Sequence, residues 1–155
     1  MKNLILIFTI FCSAAMIAAQ QPALIDREVF FGNPEYAGAQ ISPDGKFISF
    51  IKPLDGVRNV WVKGFDEPFE KARPLTAEAK RPIGQYFWSR DSKYIMFVKD
   101  NDGDENFNVF MVNPSAAPAA GSKVPAPLNL TNAKGVRVII YNVPETDPDH
   151  IYIAM

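Results

Sequence analysis

The stretch ISPDGKFISFI, residues 41 to 51, returns as WSRDSKYIMFV at residues 88 to 98. Ser42 aligns with Ser89, Asp44 with Asp91, Lys46 with Lys93 and Phe50 with Phe97, an offset of 89 minus 42, or 47 positions. Self-similarity at a fixed spacing of this size marks a repeat architecture, in which each unit buries its apolar face against a neighbour. A second landmark recurs as ARPLT at 72 to 76 and PLNLT at 127 to 131, an offset of 131 minus 76, or 55 positions. The longer spacing is accounted for by an insertion from Pro114 to Pro127, rich in Ala, Pro, Gly and Ser, which reads as a flexible surface loop. A weaker third copy, PDHIYIA at 148 to 154, places Asp149 and Ile151 only approximately over their counterparts.

Within each unit, short strand-like runs alternate with turn residues, and no stretch after the first twenty residues keeps a helical period. The first unit predicts strands at 39–42, 46–52, 59–63 and 73–76, with turns at Pro43-Asp44-Gly45 and from Pro53 to Gly56. The second predicts strands at 85–89, 94–99, 107–113 and 128–131. The strands after the Asp turns carry apolar groups on both faces: Phe47, Ile48, Phe50 and Ile51, then Tyr94 to Val98. A sheet with one wet face would alternate, so these strands must be covered from both sides. The expectation is an all-β chain, an incomplete β-propeller of about two to three four-stranded blades, because neighbouring blades cover one another in this way. Blades are expected at about 37-80, 81-132 and 133-155, the last incomplete, after a lead-in at 21-36. An immunoglobulin-like sandwich also has short strands and frequent turns, but the repeat disfavours it.

Residues 1-20 differ in kind. Lys2 supplies a positive start, Leu4 to Phe11 an apolar stretch, and Ser13, Ala14, Ala15, Ala18 and Ala19 a small-residue end, the layout of an export signal peptide. The apolar run is short for a membrane span of about 20 residues, so no stable membrane anchor is expected. Cys12, the only cysteine, lies in this segment behind Phe11, which argues against lipidation; its removal leaves no disulfide framework. An exported chain of this kind suits a periplasmic or secreted protein. The 16 basic residues are offset by 17 acidic ones, with a net charge of -1, and no nucleic acid partner is suggested.

With these repeats in view, AQISPDGKFISFI resembles the propeller repeat of bacterial periplasmic proteins, both TolB-like propellers and prolyl oligopeptidase-like serine peptidases. The run FWSRDSKYIMFVKDNDGDENFNVFMVN, at 87 to 113, followed by LNLT at 128 to 131, is similar to the N-terminal propeller region of the second kind, the dipeptidyl aminopeptidase and acylaminoacyl peptidase type. The resemblance covers roughly residues 24 to 155. It implies a propeller followed by an α/β-hydrolase domain that cuts short peptides. The nucleophile of such a domain sits in a G-x-S-x-G elbow, and none occurs here; the only histidine is His150. No catalytic residue is therefore assigned, and the chain alone is expected to be inactive. The expected role is to gate and support that hydrolase domain, with short peptides reaching it as substrates. The rival reading is a non-enzymatic TolB-like propeller that binds protein partners, and a third is a small self-contained secreted β-domain.

The remaining candidates have structural accounts. Asp100 to Glu105 superficially follows a calcium loop, but the positions that require glycine and glutamate hold Glu105 and Met111, so a hairpin turn is favoured and neither metal nor cofactor is expected. Trp61 and Trp88 read as packing, and His150 as a surface or partly buried side chain with no second histidine to join it as a metal ligand. Glu105 is the one candidate binding residue: the resemblance implies that propeller acids face the active-site cavity and hold a substrate's amino terminus.

Overall fold

The structure, a computed structural model, describes residues 23–32 and 34–155. The signal-peptide expectation for residues 1-20 lies outside the described residues. The chain divides into two compact units, ending and beginning at Asn33 and Pro34. In the first, a short helix α1 (Arg27–Phe31) starts behind Asp26, whose carboxylate accepts the Glu28 N–H at 2.9 Å. The second unit holds ten strands in antiparallel sheets and, among the described residues, only a three-residue 3-10 turn at Phe69–Lys71 in the way of helix.

The first sheet is a meander in the order β1 (Ala37–Ile41), β2 (Phe47–Leu54), β3 (Val57–Gly64) and β4 (Arg73–Pro74). The second repeats that order with β5 (Tyr86–Trp88), β6 (Ile95–Lys99), β7 (Asn108–Val112) and β8 (Leu128–Asn129). A third has two strands, β9 (Ile139–Asn142) and β10 (Tyr152–Ala154). The turn expected over Pro53 to Gly56 is narrower than the sequence suggests. Pro53 and Leu54 remain in β2, opposite Arg58 and Val57, and only Asp55 (φ 51°) and Gly56 (φ 86°) turn. Positive φ at both central residues is what a two-residue hairpin needs to match the strand twist.

The repeat exists because the same bonds recur. In the first sheet the Ser42 hydroxyl donates to Asp44 Oδ1 at 2.6 Å and accepts the Phe47 N–H at 2.9 Å, while the Lys46 N–H reaches Asp44 Oδ1 at 3.2 Å. In the second, Ser89 donates to Asp91 at 2.6 Å, Tyr94 N–H reaches Ser89 at 2.9 Å and Lys93 N–H reaches Asp91 at 3.1 Å. Each aspartate thus closes its turn by accepting a hydroxyl and a backbone N–H. In the third copy Asp147, not Asp149, holds the turn, accepting the Asp149 N–H at 3.1 Å.

A second repeated device lies at the other end of each sheet. Asn59 Oδ1 accepts the Thr76 hydroxyl and the Glu78 N–H, both at 2.8 Å, and the Thr76 hydroxyl accepts the Val60 N–H at 2.9 Å. Asn108, Thr131, Ala133 and Val109 form the same clamp at 2.8, 2.7 and 3.2 Å. The clamp explains why the Leu-Thr landmark recurs: it binds the short last strand to the third. Asn59, Thr76 and Asn108 are buried, and there an unmade bond would be costly.

The core lies between the first two sheets. Ile51, Val60, Val62 and Leu75 on one side meet Ile83, Tyr86, Trp88, Ile95, Phe97 and Val112 on the other. Trp88 stacks on Phe47 at 6.1 Å and its indole N–H donates to the Ser49 hydroxyl at 2.8 Å. Gly38, at φ 55° in an irregularity of β1, turns its carbonyl toward the Tyr86 hydroxyl at 2.6 Å. Burial pushes the Tyr86 phenol up to about 12, so it stays a donor in this bond. The Ala/Pro insertion is less detached than its composition suggests. Val124 and Pro114 are buried, and Arg73 donates to the Pro114 carbonyl.

Candidate functional site

The acid-rich loop joins β6 to β7. β6 ends at Lys99, and the chain must reverse within a few residues to begin β7 at Asn108. Three residues take positive φ to do so: Asp102 at 57°, Gly103 at 98° and Glu105 at 58°. Asp104 holds the reversal internally, its Oδ1 accepting the Asn101 and Asn106 N–H groups at 3.0 Å each. These backbone bonds hold its carboxyl below the usual carboxylate value.

Two ion pairs tie the loop to the segment that precedes β5. Lys80 Nζ stands 2.6 Å from Asp102 Oδ2, and Arg81 Nη2 stands 3.4 Å from Asp100 Oδ2. They differ in kind. The Lys80–Asp102 pair is exposed and contributes little. The Asp100 side chain is only 2% exposed while the Arg81 side chain is half exposed, so the carboxylate is withdrawn from water and its partner bridges to solvent. Asp100 Oδ2 also accepts the Glu105 N–H at 3.3 Å.

Glu105, the candidate from sequence, is exposed, and its carboxylate makes no hydrogen bond or ion pair among the described residues. It lines neither of two adjoining hollows. The larger, about 570 Å³, lies between the second sheet and β9 and includes Arg81, Phe87, Val98, Asp100, Arg137 and Ile140. The smaller, about 370 Å³, is rimmed by polar groups, among them Asn101, Asp104, Asn106, Asn108 and Asn132. Asp100 lines both. Sequence reasoning passes over it as one acid of a hairpin. The signal is in the repeat itself, since the position 47 residues earlier, 100 minus 47, is Pro53, a β2 residue with no charge.

The other singled-out residues serve the fold. Trp88 is in the core, and Trp61 donates its indole N–H to the Lys52 carbonyl at 3.0 Å. His150 is exposed and 2.9 Å from Asp147 Oδ2, which raises its pKa above the ordinary histidine value. Among the described residues, no group of three or more His, Cys, Asp or Glu side chains is placed to hold a metal ion. Nor is any helix there long and apolar enough to cross a membrane.

No family model matches the chain. Two curated proteins do. Dipeptidyl aminopeptidase BIII of Pseudoxanthomonas mexicana is 44% identical over 90 residues, 58% of this chain and 13% of its own length. The chain matches a fragment of a larger peptidase. Dipeptidyl peptidase family member 6 of Caenorhabditis elegans agrees, at 36% identity over 101 residues, 64% of this chain and again 13% of its own length. The chain therefore spans about an eighth of either relative, and the similarity reaches a stretch of β structure.

Proposed function

We propose that residues 37–155 are consecutive blades of a β-propeller in the N-terminal region of an exported serine peptidase of the dipeptidyl peptidase type. Its catalytic serine, aspartate and histidine belong to an α/β-hydrolase domain encoded beyond Met155. The blades screen short peptides by size and support that domain, and the protein works in the periplasm or outside the cell. The observation that carries this reading is the succession of two four-stranded meanders with the same strand order, the same Ser-Asp turn and the same Asn–Thr clamp, packed face to face. Its match to part of two dipeptidyl peptidases supplies the chemistry.

Within this reading, Glu105 is a candidate contact for a substrate's amino terminus. Its exposed, unengaged carboxylate on a loop held by Asp100 and Asp104 is available to a peptide ammonium group. Two measurements test the proposal. The DNA downstream of codon 155 should encode a Gly-x-Ser-x-Gly elbow within a few hundred residues; further Ser-Pro-Asp-Gly units followed directly by a stop would replace it with a partner-binding propeller. In the complete enzyme, Glu105→Gln should raise KM for dipeptidyl nitroanilides, and unchanged kinetics would remove Glu105 from the site.

A further inference from the structure

The two junctions between consecutive sheets are built by the same bond but lined by different residues. Between the first and second sheets the Ile83 N–H donates to the Arg58 carbonyl at 3.0 Å; between the second and third the Val138 N–H donates to the Phe107 carbonyl at 2.9 Å. The residue just before the donor is Pro82 at the first junction and Arg137 at the second. The position one repeat before Asp100, 100 minus 47, is Pro53. The first junction thus forms with neither charge, so the fold does not ask for Arg137 or Asp100, and both line the hollow of about 570 Å³.

The walls of this hollow come from the segment before β5, the end of β6, the start of β7 and the entry to β9. β10 contributes nothing to them, and a strand added beyond β10 would stand about 10 Å from β9, two strand spacings away. Phe87, Val98, Val138 and Ile140 give an apolar floor. Lys99 is spent on Glu78 at 2.7 Å, and Arg81 bridges the withdrawn Asp100 carboxylate to solvent. Arg137 differs. Its guanidinium lies over the Phe107 ring, 4.8 Å from the centre, and makes no hydrogen bond or ion pair among the described residues. A guanidinium over an aromatic face keeps its N–H edge free for a planar anion. With Lys99 matched by Glu78 and Arg81 by Asp100, the charge of Arg137 is left over.

We propose that this hollow binds a small organic carboxylate with an apolar body. The carboxylate takes the Arg137 N–H edge in the bidentate geometry that a guanidinium offers, and the body lies on the floor of Phe87, Val98 and Ile140. The volume falls within the range of about 300–1,000 Å³ that ligand sites occupy, and apolar walls with a few polar groups are their usual make-up. Inorganic anions match it poorly, because they leave the floor wet. A peptide C-terminus ending in an apolar residue and a free apolar acid share the chemistry that fits. Glu105 lines neither hollow, so this site stands apart from the peptidase reading and survives its failure.

Nuclear magnetic resonance titration of the 155-residue chain at neutral pH tests it, with the backbone amides of Phe107, Val138 and Ile140 as reporters. Phenylacetate, N-acetylphenylalanine and the dipeptide alanylphenylalanine should each shift them saturably. N-acetylphenylalanine amide, acetate and inorganic phosphate should bind at least about tenfold more weakly, since each lacks either the carboxylate or the apolar body. Tighter binding of the dipeptide than of phenylacetate assigns the site to peptide C-termini, and the reverse or equality to apolar acids in general; either order supports the carboxylate site. Arg137→Gln removes a side chain that makes no bond to the fold, so it should keep the thermal midpoint and lose about tenfold or more in affinity. Arg137→Lys, which keeps the charge but not the fork, should fall between. Absence of a saturable shift, equal binding of the amide, acetate or phosphate, or full affinity in Arg137→Gln overturns the proposal.

Discussion

The first and second sheets carry the same turn, the same clamp and the same strand order, and Phe50 and Phe97 are equally buried, yet they are covered by different things. The second sheet is covered on both sides: Ile95 and Phe97 lie against the first sheet, and Val109, fully buried, faces the side of β9. The first sheet is covered by another sheet on one side only, and on the other its Phe50 is shielded by two half-exposed rings. Equal sequence patterns therefore specify equal local bonds, but the free energy that each residue contributes depends on the sheet beside it. Lys52 and Lys99 illustrate the point. Each lies over an aromatic ring, at 4.7 Å from Tyr36 and 5.0 Å from Phe110, and each pairs with a glutamate, Glu35 or Glu78, supplied by the segment before its own sheet.

The largest expected difference comes from the paired phenylalanines. Phe97→Ala should destabilise by about 3–5 kcal/mol in urea unfolding, because surrounding sheets cannot collapse into the cavity. Phe50→Ala should cost at least about 1 kcal/mol less, since Tyr36 and Phe69 can settle inward and water can reach the site; equal costs would break the comparison. Next are the clamps. Asn59→Ala and Asn108→Ala each strand a threonine hydroxyl and a backbone N–H, and each should cost about 2–3 kcal/mol by the same measurement. Here the two sheets should agree to within about 1 kcal/mol, and a clear inequality would show that the clamps are not equivalent.

A smaller effect is expected at the contact between them. Trp88→Phe removes the indole N–H that reaches Ser49 and should lower stability by about 1 kcal/mol. Ser49→Ala added to the Trp88→Phe variant should cost little beyond its own packing loss, and a full second penalty would show that the two side chains act independently. The smallest concerns acid. Asp44 and Asp91 are held at about 2, each chiefly by its serine hydroxyl, against an ordinary value of 3.8. A carboxyl depressed on folding adds stability that is present above 3.8 and fades as pH falls from there toward 2. Asp44 is exposed and Asp91 half-buried at the surface, where solvent screens both, so the effect is small. It should shrink in both Ser42→Ala and Ser89→Ala, and a stability profile below the ordinary carboxylate value that is unchanged in either variant would remove that turn from the account.

The repeat, the number of strands in its first two units and the Ser-Asp turns are legible in the chain because each rests on neighbours in sequence. Pro43-Asp44-Gly45 can only turn, and the Asp44 carboxylate reaches a backbone N–H two residues away. The Asn–Thr clamp is half legible. Leu-Thr stands out at 76 and 131, but its partner asparagines lie 17 and 23 residues earlier and have no local signature beyond Asn-Val at the start of the third strand. Among the acids of the β6–β7 loop the sequence points to Glu105, whereas the withdrawn carboxylate is Asp100. Carboxylates in one loop look alike until Arg81, from another segment, comes to stand beside one of them.

Local chemistry, then, settled where this protein turns and which runs become strands, since a hydrogen bond across two to five residues is available before any other part of the chain is in place. Tertiary structure alone decided which face of each strand is dry and which acid loses its water. Those outcomes depend on surfaces brought together from dozens of residues apart, and burial is a property of the neighbour as much as of the residue itself.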